Sequence, residues 1–190
     1  VRFGATSEHT VDGSFSERTM ALSIVYPGRT DGYKGNVTET QDVLDAWVER
    51  VVRAGIQPNI HANGDVAIDS YHTAVERAVK KFPTTDLRPK ITHCTLVNDD
   101  LIRRIKAIEA IPTLFWTYVY YHGDKWPEYG EERLKWMFCH KSFLDAGVPT
   151  PGATADSVAV NVTVSWSTDG FIEETSAVAT PALFTSGVAP

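Results

Sequence analysis

Apolar positions along the chain alternate between two periods. Gln41 to Ala54 carries Leu44, Trp47, Val48, Val51 and Val52 at helical spacing, and Gly55 follows where a helix stop belongs. Ile56-Gln57-Pro58-Asn59-Ile60-His61 then reads as a strand. Asp65 to Phe82 returns to the helical period through Val66, Ile68, Tyr71, Val75, Ala78, Val79 and Phe82, and Pro83 ends it. A second strand, Pro89 to His93, precedes Asn98, a helix N-cap for a segment through Leu101, Ile102, Ile105 and Ile108. Ile111 to Val119 is a continuous apolar and aromatic run, expected as a buried strand, with a wet loop from Tyr120 to Tyr129. Glu131 to Ala146 is expected as one helix stopped by Gly147, and Val148 to Thr154 as a further strand weakened by Pro149 and Pro151.

Strand and helix in alternation predict an α/β fold with a mostly parallel sheet and right-handed crossovers. Four or five such units are present. A complete eight-fold barrel takes about 250 residues, so the chain is short by roughly three units. Residues 158–190 change character, being rich in Ala, Val, Ser and Thr without a helical period, and are left unassigned. Residues 1–157 form the expected catalytic domain.

Composition narrows the classes. A net charge of -6 with both signs interspersed argues against nucleic acid as a partner. Cys94 and Cys139 make neither a C-x-x-C motif nor a disulfide framework, which makes a reducing cytoplasm the default. No apolar run reaches a membrane span and no signal peptide is visible. The chain opens on Val1 in a strand-like segment, so it is expected to be a processed product or a fragment.

His61 and His93 close successive strands, each followed by a helix. In (β/α) barrels that face carries the chemistry. Alone, His61 also reads as a core histidine beside a helix cap, and His93 as a structural one. Together they suggest two imidazole ligands for a divalent metal, zinc being the usual hydrolytic choice, or an acid–base pair. Glu8 and Asp12 lie near the end of the first strand. Glu8 is a candidate oxygen ligand, and Asp12 otherwise reads as a solvated strand end before an Asp-Gly turn. Asp156, after the last candidate strand, could bind metal or take a proton from the attacking water, or sit in a surface turn.

Four motifs carry a resemblance. Val11 to Leu22, VDGSFSERTMAL, resembles the DGS-x-x-x-RTAAL signature of amidohydrolase family 3. His61-Ala62-Asn63-Gly64-Asp65 with Ala67 resembles that family's HAxGDxA motif, Ile91-Thr92-His93 with Leu96-Val97 its IEHAQLV motif, and Phe143 to Pro149 its LLDAGVP segment. The resemblance implies a partial TIM-type (β/α)8 barrel of the metal-dependent hydrolase kind, roughly strands 4 to 8. It implies hydrolysis of a C–N bond, amide or cyclic amide, in a small molecule, including N-substituted formamides. By position it makes His61 and His93 the ligands after strands 5 and 6, and Asp156 the catalytic acid after strand 8.

Three departures stand beside it. The family's HxH pair after the first barrel strand has no counterpart. Glu8 occupies the position usually held by a carbamylated lysine. Asp156 lies one residue beyond the family's Asp, so either a bulge restores it or the role is lost. An aromatic cluster, Trp116, Tyr118, Tyr120, Tyr121, His122, Lys125 and Trp126, follows the fourth candidate strand and reads either as substrate-contacting or as packing over the barrel end. Arg18 and Asp65, inside the motifs, join the substrate candidates Trp116, Tyr118, Tyr120 and His122. Asn36-Val37-Thr38 and Asn161-Val162-Thr163 match glycosylation acceptors. The expected partners are a small amide-type substrate and either a second copy of the chain or a missing N-terminal part. A non-catalytic fragment or degenerate homologue with a binding or regulatory role is the alternative.

Overall fold

Among the described residues, four short parallel strands form a sheet in the order of the chain: β1 His9–Thr10, β2 Asn59–Ala62, β3 Lys90–His93 and β4 Ile111–Leu114. This is a computed structural model, and it describes residues 5–115 and 117–150. Three helices connect or follow the strands: α1 Gln41–Arg53, α2 Asp65–Lys81 and α3 Asp99–Ala107. A sheet of consecutive parallel strands crossed over by helices is the arc of a (β/α) barrel. Among the described residues, no helix is long and apolar enough to cross a membrane.

The helices form where amphipathic spacing and end signals agree. α1 buries Leu44, Val48, Val51 and Val52, and Gly55 beyond it takes a φ of 68°. α2 buries Ala67, Ile68, Tyr71, Ala74, Val75 and Ala78 along one stripe. Asn98 caps α3, its side chain accepting the Leu101 N–H at 2.9 Å. Those stripes pack on Ile60, Ala62 and Ile91 of the strands, forming the main core. In parallel register Ile60 pairs with Ile91 and Ala62 with His93, so one sheet face meets the helices. Asn59 and His61 pair with Lys90 and Thr92 on the other face, where Thr92 Oγ1 donates to Asn59 Oδ1 at 3.1 Å.

Several expected elements take a different form. The run from Ile111 is extended only to Leu114, and Thr117–Tyr121 is a helix, α4, followed by a 3-10 turn over Gly123–Tyr129 in place of a loop. Leu114 pairs with His93, the last residue of β3, so the ladder has no further partner beyond it. The expected helix from Glu131 to Ala146 is broken into α5 Glu131–Leu134 and α6 His140–Asp145. The segment between them leaves the helix to pair with the chain after β3. Phe138 N–H donates to Thr95 O at 2.9 Å, Val97 N–H donates to Trp136 O at 3.1 Å, and Phe138 adopts a φ of 52°. Val148 to Thr150 is not a strand, and the remainder of that expected strand, the domain boundary at 157 and the segment 158–190 lie outside the described residues.

A second apolar cluster gathers Phe15, Met20, Leu22, Tyr26, Leu96, Tyr129, Met137 and Phe138. It packs loop onto loop, with Tyr129 donating its hydroxyl hydrogen to Phe15 O. The loop that follows β1 is pressed against the β2–α2 turn. A Cβ built on Gly64 would lie 1.9 Å from the Ala21 carbonyl oxygen, a backbone atom that cannot swing aside. Gly64→Ala is therefore expected to destabilise the fold by about 3 kcal/mol or more, read as a lower denaturant midpoint at unchanged slope.

His72 on α2 is fully buried, and neither ring nitrogen has a hydrogen-bond partner among the described residues. Burial, with the Arg104 charge, lowers its pKa to about 3. The unfolded chain then takes up a proton below about pH 6.5 that the folded chain refuses. Stability from this site is complete above that value and falls as pH drops towards 3. His72→Leu is expected to raise stability by about 1 kcal/mol at neutral pH and to flatten the acid limb of a stability–pH profile. A steeper acid limb in the variant would contradict this origin.

Candidate metal centre

Glu8, His61 and His93 come together at the C-terminal ends of β2 and β3. One donor atom from each lies within 4.8 Å of the other two. Glu8 precedes β1 and reaches across with Oε1 3.4 Å from His61 Nδ1. His61 is the third residue of β2, on the face away from the helices. Its ring stands edge-on to that of His93, with centroids 4.4 Å apart.

Register alone would not bring His93 there, because it pairs with Ala62 on the helix-facing side. The backbone corrects the aim. His93 has a φ of 74° and Cys94 a φ of 46°, two successive non-glycine residues in the left-handed region at the strand end. Such conformations cost of order 1–3 kcal/mol each and cluster where a side chain must be re-aimed. His93 is buried, and its Nδ1 has no hydrogen-bond partner among the described residues. Burial first, then the proximity of His61, lowers its pKa to about 4, so the ring is neutral near pH 7. A neutral imidazole with an unclaimed buried nitrogen is the state a metal ligand requires.

Aromatic side chains wall the same spot. Phe115 lies 4.3 Å from the His93 ring, centroid to centroid, and Tyr118 stacks on it at 5.9 Å. Burial, and then the Glu8 charge, holds the Tyr118 phenol above its usual pKa. His122 meets Tyr118 edge-on at 5.0 Å. Tyr120 is 80% exposed and touches Tyr121. The other candidates are engaged elsewhere. Arg18 donates to Pro27 O at 3.0 Å, pairs with Glu128 at 3.3 Å and covers the Tyr26 ring. Asp65 accepts both the N–H (3.0 Å) and the hydroxyl (2.5 Å) of Ser23 at the start of α2. Trp116 and Asp156 lie outside the described residues.

Asp12 corrects the reading of a solvated strand end. It is 1% exposed, and its carboxylate accepts the N–H groups of Ala21 (2.9 Å), Asn63 (2.9 Å) and Gly64 (2.8 Å). Burial pushes its pKa up to about 6 while those three donors pull it down. Asn63 is equally buried; its Nδ2 donates to Gly13 O at 2.9 Å and its Oδ1 accepts from Thr95 Oγ1 at 2.6 Å. The signal for Asn63 and Asp12 lay within the HANGD and VDGS motifs, but nothing in their spacing shows that the two segments touch.

Two solved structures resemble the chain. One is an uncharacterised metal-dependent hydrolase from Pyrococcus furiosus, 29% identical with a TM-score of 0.61. The other is an uncharacterised metal-dependent hydrolase from Pyrococcus horikoshii OT3, 28% identical with a TM-score of 0.63. Each match covers 75% of this chain but only 29% and 28% of the respective relative, so the chain spans under a third of their length. A search of curated proteins finds no match. The model of the amidohydrolase family, however, matches residues 5–169, a span that includes Glu8, His61 and His93. The chain belongs to the amidohydrolase family.

Proposed function

We propose that Glu8, His61 and His93 form part of the centre of a metal-dependent hydrolase that cleaves a C–N bond, amide or cyclic amide, in a small molecule. The convergence of these donors from β2, β3 and the residue before β1 carries the reading. The donor set, two imidazole nitrogens and a carboxylate oxygen, suits zinc and matches the three protein ligands of catalytic zinc sites. When bound, such a cation polarises the scissile carbonyl and makes water a nucleophile at neutral pH.

This chain's own residues supply the rest. His93, held neutral by burial, presents nitrogen without first losing a proton. Glu8 is the more exposed partner, which leaves the centre open to solvent on its side. Phe115 and Tyr118 close the His93 side against water and offer a flat surface to a substrate. Tyr118 and His122 are the described side chains best placed to contact it. Arg18 and Asp65, with their polar groups already taken, hold the surrounding loops. Asp156 moves the proton from the attacking water to the leaving nitrogen.

Two measurements test this. The chelator-treated chain is expected to take up one equivalent of zinc, read by competition with a chromophoric chelator, and His61→Ala and His93→Ala are each expected to lose it. In a preparation that turns over a panel of N-acyl, N-formyl and cyclic amides, Asp156→Asn is expected to lower the rate by about 10²–10⁴-fold while zinc content stays unchanged. A folded chain that takes up no divalent ion would favour the non-catalytic homologue instead. Full activity in Asp156→Asn would move the proton-transfer role elsewhere.

A further inference from the structure

The ladder between β2 and β3 slips by one residue where the two histidines meet. Lys90 N–H donates to Pro58 O at 2.9 Å and Cys94 N–H to Ala62 O at 3.0 Å, each to a carbonyl 32 residues back. A parallel ladder continued at that offset would send the Leu96 N–H to Gly64 O. It goes instead to Asn63 O, at 2.9 Å and 33 residues back. One extra residue has entered the β3 side, and the two left-handed residues, His93 and Cys94, lie at the slip. A bulge of this kind re-aims a side chain, because a one-residue change of register exchanges the faces of a sheet. His93, paired with Ala62 on the helix-facing side, is turned there onto the ring of His61, with centroids 4.4 Å apart.

Left-handed backbone at non-glycine residues persists only where its surroundings hold it. Part of the hold is main chain: Phe138 N–H donates to Thr95 O at 2.9 Å and Val97 N–H to Trp136 O at 3.1 Å. Those bonds ask for no particular side chain. One bond at the slip does. Thr95 Oγ1 donates to Asn63 Oδ1 at 2.6 Å and so ties the two strand ends together. Thr95 is 0% and Asn63 1% exposed, so water is no substitute partner for either. The Asn63 amide is fixed at its other end, where Nδ2 donates to Gly13 O at 2.9 Å. In the unslipped register Thr95 would stand opposite Gly64, which offers no side-chain acceptor. The hydroxyl meets Asn63 Oδ1 only with the slip in place.

We propose that Thr95 is a positioning residue for His93: its hydroxyl, held by the Asn63 side chain, locks the one-residue slip that turns His93 out of the helix-facing register and onto His61. The proposal rests on the reading of Glu8, His61 and His93 as a cation site. It goes beyond that reading in naming the group that sets the distance between the two imidazoles. Outer groups that orient ligating side chains typically change metal affinity 10–100-fold when lost.

The test compares the full chain with Thr95→Val, which keeps the shape and removes the hydroxyl, and with Thr95→Ser, which restores it. The first readout is the nuclear Overhauser contact between the His61 and His93 rings in the metal-free chain, assigned by the signals missing in His61→Gln and His93→Gln. The second is zinc affinity, by competition with a chromophoric chelator. The ring contact is expected in the unaltered chain and in Thr95→Ser and lost in Thr95→Val, whose zinc affinity is expected to fall 10–100-fold. A folded Thr95→Val that keeps the ring contact overturns the proposal, as does a Thr95→Ser that loses it. If Thr95→Val does not fold, Thr95→Cys, of similar size with a weak S–H donor, takes its place with the same outcomes read. No ring contact in the unaltered chain overturns the proposal without any variant. A ring contact that follows the hydroxyl in a chain that binds no zinc overturns the cation-site reading and leaves the role of Thr95 standing.

Discussion

One buried carboxylate joins the parts of this protein that matter for its chemistry. Asp12 stands just beyond β1, yet the three N–H groups it accepts belong to a loop nine residues on and to the β2–α2 turn 51 and 52 residues on. Each of those donors is buried, and each left without an acceptor would cost about 1–3 kcal/mol. The carboxylate therefore does for this loop what a strand neighbour does for a sheet. Its fit depends on Gly64, whose missing side chain lets the Ala21 carbonyl come against the turn. The VDGS and HANGD motifs are two halves of one contact.

From that tie the geometry of the centre follows. The loop after β1 is held against the end of β2, which sets Glu8 and the Gly13 carbonyl on opposite sides of the His61 ring. On the next strand the solution is of a different kind. His93 is brought across the sheet by left-handed backbone at the strand end and is held there by Phe115 and Tyr118. One ligand is thus placed by hydrogen bonds to its far nitrogen. The other is placed by backbone conformation and ring packing, and its unclaimed Nδ1 is the more open to a new partner.

The three long helices were legible because each carries a full amphipathic stripe with a stop or cap at its end, as at Gly55, Pro83 and Asn98. The histidine pair was legible because both close apolar runs one β/α unit apart. What escaped the sequence depended on distant partners. The run after Leu114 has strand-like residues, but the neighbouring strand ends at His93 and the chain coils into α4. The helical pattern from Glu131 is interrupted because Trp136 and Phe138 find partners in Val97 and Thr95. Asp12 looked like an ordinary turn residue because Asp-Gly suits a turn, and its burial depends on a segment some fifty residues away.

The parallel register has a kinetic side. Neighbouring strands here cannot be joined by a tight turn, and their separations along the chain are unequal. His9 pairs with Ile60 across about fifty residues, whereas Lys90 pairs with Ile111 across about twenty. Loop-closure entropy grows with the logarithm of that length, about 0.6 kcal/mol per doubling. β1 is also only two residues long, so few ladder bonds offset the larger closure. The carboxylate arm of the centre hangs on the pairing with the greatest entropic resistance, while the two imidazoles share a shorter loop. As the chain folds, the nitrogen pair has the lower barrier to assembly, and a complete three-donor set reports that β1 has docked.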